Sequence, residues 1–323
     1  MGERLTSQPM PRGLAVGSES VFSPASPFAA AIAHLFNITL VVCAVIGIGV
    51  TAAIAYSLVA FRARGDCCEP PQRNGNFKLE VFWTAVPIAI VTWLLAMSID
   101  TMTRADPPAN RAPDLIVVAH QWWWEVRYRS GVLTANEIHI PIGVPLLVRL
   151  ESADVIHDFW IPQLARKTDA IPGHPNFLWI SADAPGSYGG TCAEYCGAQH
   201  AWMRLLVIAQ QRLDFDAWQA EQLAPASVPL TEAATRGERG FRHEACGGCH
   251  AISGRGFEGR VAPDLTHLAS RSTLGAGATD YTRKDLTTWL RDPQVIKPGC
   301  HMPDFKLSDD KVDDLVAYLE ELR

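Results

Sequence analysis

Two uninterrupted apolar runs constrain this chain more than any other feature. From Phe28 to Phe61 there is no Asp, Glu, Lys or Arg, and His34 is the one basic side chain; Val81 to Ile99 carries no charge at all. Each run reaches the roughly 20 apolar residues that a helix needs to cross the hydrocarbon core. They predict two transmembrane helices, about 30–61 and 81–101, and hence a membrane protein. A helix buried in a soluble core fits the first run badly, because the run is too long, and stays open as an alternative for the second. Of the 323 residues 48% are hydrophobic and 19% charged, an apolar excess concentrated in these runs, and the remaining length suffices for further domains.

The flanks orient the hairpin. Residues 1–27 are rich in Pro, Ser and Gly and contain no apolar core of their own, so no separate cleavable signal is expected and the first helix itself directs insertion. Between the helices, Arg62, Arg64, Arg73 and Lys78 stand against Asp66, Glu69 and Glu80. The excess of Lys and Arg there predicts a cytoplasmic loop, with both termini and everything after about Thr101 on the extracytoplasmic side. That orientation sorts the thiols: Cys67 and Cys68 are expected on the reducing side as free thiols, with lipidation the alternative, and Cys43 as a packing residue. The net charge of -6 comes with no basic stripe, so no nucleic-acid partner is expected.

After the Pro-rich spacer Asp106–Pro113, short β-type runs follow at 115–119, 122–128, 137–140, 145–150, 177–181 and 204–209, separated by turn residues such as Ser130-Gly131 and Pro185-Gly186. They predict a β-sandwich or barrel. In the loop before the last run, Cys192, Cys196, His200 and Met203 are spaced four, four and three residues apart. Two thiols, an imidazole and a thioether make a soft-metal site. The thioether favours copper over zinc, while a Cys192–Cys196 disulfide with His200 and Met203 as ordinary residues is the alternative.

A polar, Ala/Gln-rich stretch, 213–230, reads as a linker ending in Pro225 and Pro229. Beyond it, a predicted helix over 231–245 leads into Cys246-Gly-Gly-Cys-His250, the attachment signature of a c-type haem, with zinc binding as the weaker alternative. Cys246 and Cys249 would tether the porphyrin and His250 bind its iron; Met302 is the best candidate for the second axial ligand, ahead of His301 and His267. Ser308 with Asp309 and Asp310 opens a predicted closing helix.

These features together resemble subunit II of the haem-copper cytochrome c oxidases, in the bacterial caa-type form with a cytochrome c fused at the C-terminus. The resemblance covers the chain after residue 27 and rests on Glu80-Val-Phe-Trp-Thr84, His120-Gln-Trp-Trp-Trp124, Asp154-Val-Ile-His-Asp-Phe-Trp-Ile-Pro162, Lys167-Thr-Asp-Ala-Ile-Pro-Gly173 and the cysteine loop. It implies a multidomain membrane protein. The parts would be an N-terminal extracytoplasmic segment (1–27), a two-helix transmembrane hairpin (28–104), a cupredoxin-like β-sandwich or barrel (105–212), the linker (213–230) and an all-α class I cytochrome c domain (231–323).

By the same resemblance the cysteine loop forms a binuclear CuA centre. Cys192 and Cys196 would bridge both coppers, His157 and His200 each bind one, and Met203 and the main-chain carbonyl of Glu194 act as weaker ligands; a core histidine is the alternative for His157. The Glu194 carboxylate would also reach a magnesium or manganese ion shared with subunit I. Trp122 is similar to the exposed residue through which an external cytochrome c passes its electron, although a strand core is the ordinary place for such an aromatic run. Glu80 resembles the acid at the mouth of a proton path, with an interfacial carboxylate at the helix end as the alternative.

The function implied is electron entry into a terminal oxidase of the bacterial inner membrane. Electrons would come from cytochrome c or a cytochrome bc1-type complex, and subunits I and III and membrane lipid would be partners. Oxygen reduction belongs to subunit I, because this chain has no set of intramembrane histidines to hold haems. The rival expectations are a dicopper subunit of a nitric-oxide-reductase-type complex and a membrane-anchored copper carrier; the second has no use for a haem.

Overall fold

The computed structural model describes residues 20–62, 75–107 and 111–323. The segment 1–19, most of the inter-helix loop on which the orientation argument rests, and Cys67 and Cys68 lie outside the described residues. Two compact units result, one of them Ala30–Asp106.

That unit is helical. Helix α1 spans Pro27–Ala60 and α2 spans Phe77–Ala105, and both are long and apolar enough to cross a membrane. The apolar side chains of both are exposed around the helix rather than along one stripe, as expected of surfaces made for lipid. Cys43, expected to pack, is exposed on α1. Helix α2 begins four residues before the apolar run because Asn76 caps it, its side chain accepting from the Leu79 N–H. Lys78 and Glu80 then occupy the first turn, which a hydropathy reading leaves out. Pro87 lies inside α2, a placement membrane helices tolerate.

In the other unit, two five-stranded sheets form a cupredoxin-like β-domain. The strands are β1 (Leu115–His120), β2 (Trp123–Tyr128), β3 (Leu133–Ala135), β4 (Glu137–Pro141), β5 (Leu146–Ser152), β6 (His157–Trp160), β7 (Thr168–Ala170), β8 (Asn176–Ile180), β9 (Gly186–Cys192) and β10 (Arg204–Gln210). One sheet runs β3-β2-β1-β5-β8 and the other β4-β10-β9-β6-β7, with β1/β5 and β10/β4 parallel and the remaining pairs antiparallel. The core holds Leu115, Val117, Trp124, Val126, Leu150, Phe159 and Val207. Alternation along β2 turns Trp124 inward and leaves Trp123 half-buried beside it.

Sequence reading misses β9, Gly186-Ser-Tyr-Gly-Gly-Thr-Cys192, because glycine is a poor strand former. The glycine is there for space: a Cβ on Gly190 would stand 2.8 Å from the Trp160 carbonyl oxygen and 2.9 Å from Leu205 Cγ. The strand β9 therefore fits between β6 and β10 only without a side chain at that point.

The expected linker also differs. Helix α3, Arg212–Gln222, fills its first half, and Phe215 and Trp218, one turn apart, both pack Tyr128, while Trp218 also stacks on His139, whose ring lies 4.0 Å away and nearly parallel. Polar composition concealed one apolar face.

The C-terminal part is a small helical cytochrome c domain of α4 (Glu232–His243), α5 (Arg283–Arg291), α6 (Pro293–Ile296) and α7 (Asp309–Glu320), with two short two-stranded ladders. Thr231 caps α4 by accepting from the Ala234 N–H. Ser308 stands at the start of α7, but its side chain makes no capping bond; Asp309 and Asp310 supply the favourable charge in the first turn. Helices α4 and α7 cross so closely that a Cβ on Gly237 would lie 2.0 Å from the Asp314 carbonyl oxygen.

Candidate functional site

Strand pairing assembles the cysteine site. Phe159 on β6 lies opposite Cys192 on β9, which carries His157, two residues earlier, to the end of β9. The loop after Cys192 returns into β10, and the Cys192 N–H donates to the Met203 carbonyl at 2.9 Å, closing it. Cys192 Sγ stands 3.8 Å from Cys196 Sγ, 3.8 Å from His157 Nδ1 and 3.2 Å from the Glu194 carbonyl oxygen. Cys196 Sγ stands 3.7 Å from His200 Nδ1 and 3.9 Å from Met203 Sδ. His157, Cys192, Cys196 and Met203 are buried.

The cysteines are free thiols here, and their separation far exceeds a disulfide bond of about 2 Å. Two sulfurs each about 2.3 Å from a shared soft ion, at a roughly tetrahedral angle, would stand about this far apart. Two thiols, two imidazole nitrogens, a thioether and a carbonyl oxygen facing one buried point fit a soft metal. One thiol is also prepared for it: the hydrogen bond with Cys196, aided by His157, holds Cys192 well below the usual thiol range, while the same pairing pushes Cys196 up. A residue that carried no role in the sequence reading orients the site. Asp154 Oδ1 meets His157 Nε2 at 2.8 Å, leaving Nδ1 toward the sulfurs, and the i,i+3 spacing in Asp154-Val-Ile-His157 was its only signal.

The haem signature folds as a tight turn, with the His250 N–H donating to the Cys246 carbonyl at 3.0 Å. His250 Nδ1 bonds the Pro263 carbonyl at 2.7 Å, so Nε2 is the nitrogen left for iron. Burial pushes the imidazole down, keeping it neutral. Cys246, Cys249, His250 and Met302 line one cavity of about 260 Å³, whose other walls are largely apolar, among them Leu268, Leu286 and Leu290. Met302 Sδ accepts from Trp289 Nε1 at 3.0 Å. Of the alternatives to Met302, His301 has its ring against Trp122, and His267 is turned away to the Ala224 carbonyl. An apolar cavity with two thiols, an imidazole and a thioether on its wall fits a c-type haem.

Trp122 is buried, only 9% exposed, rather than open to an external protein. Its Nε1 donates to the Cys196 carbonyl at 3.0 Å, and its ring lies 4.7 Å from that of His301 in the cytochrome c domain. The β-domain and the cytochrome c domain meet around it. Glu137 Oε1 accepts from the N–H groups of Ser272 and Thr273 at 2.7 and 2.9 Å, and the Arg204 N–H donates to Ala276 O at 3.0 Å. Lys297 Nζ reaches Trp122 O and Gly275 O, each at 2.8 Å. Sequence reading missed Glu137 and Lys297, since neither belongs to a motif.

Two further carboxylates were singled out by the sequence. Glu194 is exposed, while its carbonyl faces Cys192. Glu80 accepts from the Asn76 N–H at 3.1 Å, and with the Asn76 cap this forms a box-like helix start.

Comparison with known proteins agrees with this architecture. Family models match residues 17–100 (cytochrome c oxidase subunit II, transmembrane domain), 129–210 (cytochrome c oxidase subunit II, periplasmic domain) and 234–323 (cytochrome c). Cytochrome c oxidase subunit 2 of Alkalihalophilus pseudofirmus is 34% identical over 322 residues, covering 95% of this chain and 92% of that protein. The Bacillus subtilis subunit 2 is 31% identical, covering 83% and 82%. Among solved structures, the periplasmic domain of subunit II of cytochrome oxidase of Bradyrhizobium japonicum is 28% identical over 36% of this chain and 95% of its own, with a TM-score of 0.34.

Fold and sites thus define a membrane-anchored electron-transfer protein with a cupredoxin-like domain and a cytochrome c domain. The chain belongs to the cytochrome c oxidase subunit II family, in the form fused to cytochrome c. It is a subunit of a cytochrome c oxidase, an oxidoreductase complex, with a two-helix inner-membrane anchor and a role in electron entry. Both families imply the cofactors that the two sites fit, copper and haem.

Proposed function

We propose that this chain takes electrons from cytochrome c or a cytochrome bc1-type complex into a covalent haem c, relays them to a binuclear CuA centre, and delivers them to subunit I. Both groups supply reversible one-electron chemistry, and sharing one electron across two sulfur-bridged metals keeps the geometry change on reduction small. The observation that carries the reading is the convergence of His157, Cys192, Cys196, His200 and Met203 on one buried point, with Trp122 joining that loop to the haem cavity.

Each residue has a part. Cys192, Cys196, His157 and His200 would hold the copper, with Met203 and the Glu194 carbonyl as weaker ligands, and Asp154 would fix the His157 ring. Cys246 and Cys249 would tether the porphyrin, and His250 and Met302 would hold its iron. Trp122 is the electron route between the two, now inside the chain, so the outer donor meets the cytochrome c domain.

The domains take the limits 1–27, 28–104, 105–212, 213–230 and 231–323, with α3 within the fourth. Both termini lie on the periplasmic side, and subunit III and lipid complete the surroundings. The exposed Glu194 carboxylate is free to meet a magnesium or manganese ion shared with subunit I. Glu80 marks a proton path, and its bond to the Asn76 N–H is the competing structural role; slowed turnover in Glu80→Gln with normal electron intake would support the path, and normal turnover would remove it.

Metal and haem analysis of the purified complex tests the whole reading: two coppers and one covalent haem are expected per copy of this chain. Cys192→Ser should abolish the near-infrared copper absorption and leave the haem spectrum. A copper signal unchanged by that substitution sinks the dicopper assignment.

A further inference from the structure

The loop Lys297-Pro-Gly-Cys-His-Met302 touches Trp122 twice. The His301 ring lies on the indole, and the Lys297 ammonium bonds the Trp122 carbonyl from the main-chain side. The same ammonium bonds Gly275 O, so one cation ties a turn of the cytochrome c domain to the β-domain residue that reaches Cys196. Lys297 is only 3% exposed, and among the described residues no carboxylate pairs with it. Lysine and arginine are rarely buried without such a partner, because an ion loses its hydration and two carbonyl dipoles replace only part of it.

The surroundings give this unpaired cation a use. Lys297 lines the haem cavity, and the one other lining side chain that carries a full charge is also a cation, Arg271; no carboxylate is among them. Arg271 is engaged elsewhere, donating to the Asp264 carbonyl near Glu137. On the other side of Lys297 lies the Cys196 loop, reached through Trp122. When both centres are loaded, a protonated Lys297 would set a positive charge beside each of them in a medium of low dielectric. A methionine or leucine would fill the same space at a lower desolvation cost and would supply no field.

We propose that Lys297 is a positioning residue for electron transfer within this chain: its ammonium, shared between the Gly275 and Trp122 carbonyls, seats Trp122 against the 297–302 loop and favours the reduced state of the groups held on either side. The proposal rests on the haem and dicopper assignment made above. It adds a residue that holds neither group and sits between them.

The test uses the whole oxidase complex with Lys297→Met and Lys297→Gln, which remove the charge, and Lys297→Arg as the control that keeps it. Haem and copper bands are followed against ambient potential at about pH 6, on the protonated side of Lys297. At the potential that half-reduces the wild-type haem, both neutral variants should lower the reduced-to-oxidised ratio by about tenfold, the scale expected for loss of a nearby unit charge at intermediate dielectric. They should also slow haem-to-copper equilibration after flash reduction. Lys297→Arg should hold the wild-type ratio.

An unchanged ratio in the neutral variants overturns the proposal and leaves Lys297 a mere clamp; so does an equal fall in Lys297→Arg, which would make the effect one of shape. A wild-type complex without covalent haem or without the copper band is a different failure, that of the parent assignment.

Discussion

The indole nitrogen of Trp122 donates to the carbonyl oxygen of Cys196 at 3.0 Å, so the residue beneath the cytochrome c domain is hydrogen-bonded directly to the backbone of the cysteine loop. Gln121 Nε2 donates to the same oxygen at 2.8 Å. A second donor keeps the loop in place if the indole is lost, which separates the structural and the electronic parts of Trp122.

Trp122→Phe should therefore leave the copper bands intact and slow haem-to-copper electron transfer about tenfold or more, from loss of the direct hydrogen bond. Flash reduction of the haem followed at the copper band reads both. Unaltered transfer would show that the electron takes another route.

Asp154→Asn keeps the shape beside His157 and removes the carboxylate that meets Nε2 at 2.8 Å. Loss of such an orienting partner costs about 10- to 100-fold in metal affinity. Copper competition with a chelator should reveal that loss without a change in folding, and wild-type affinity would mean the ring is held by packing alone.

Met302→Ala should convert a six-coordinate low-spin haem into one that binds external ligands such as imidazole, because on the cavity wall the His301 ring lies against Trp122 and Cys300 Sγ accepts from Gln294 Nε2 at 3.3 Å. The visible spectrum is the measurement. A spectrum unchanged from wild type would hand the role to His301.

Gly237→Ala should destabilise the cytochrome c domain by about 3 kcal/mol, the upper end for an overpacked contact, since the new methyl would meet the Asp314 backbone, which cannot rotate away. Thermal unfolding read at the haem band reports it; Gly240→Ala on the same helix, where a Cβ would meet only Leu315 at an ordinary 3.8 Å, is the control.

Burial pushes the Lys297 ammonium down to about 7 from an ordinary 10.5. Between these values the unfolded chain keeps the proton and the folded one has lost it, so the unfolded state binds more protons and stability rises with pH across that window. Lys297→Met should melt with less dependence on pH between about 7 and 9 than the wild type. Parallel curves for the two proteins would place the lysine outside the cooperative unit.

Features carried within a few residues were legible in the chain itself. The charge-free runs needed only length to become α1 and α2, and Cys246-Gly-Gly-Cys-His250 needed only its spacing. Others were hidden by chemistry that points elsewhere. β9 looked like a loop because a close approach demands glycine at 190, and α3 looked like a linker because only Phe215 and Trp218 mark its buried face.

By itself, then, the sequence determined the membrane hairpin, the class of each later domain and most side chains able to hold a metal or a haem, because apolar length and ligand spacing are local quantities. Tertiary structure alone decided which of those side chains meet. His157 reaches Cys192 through the β6/β9 register, across 35 positions, and Lys297 reaches Trp122 across 175. Such encounters depend on packing summed over many residues, of which no local pattern keeps a record.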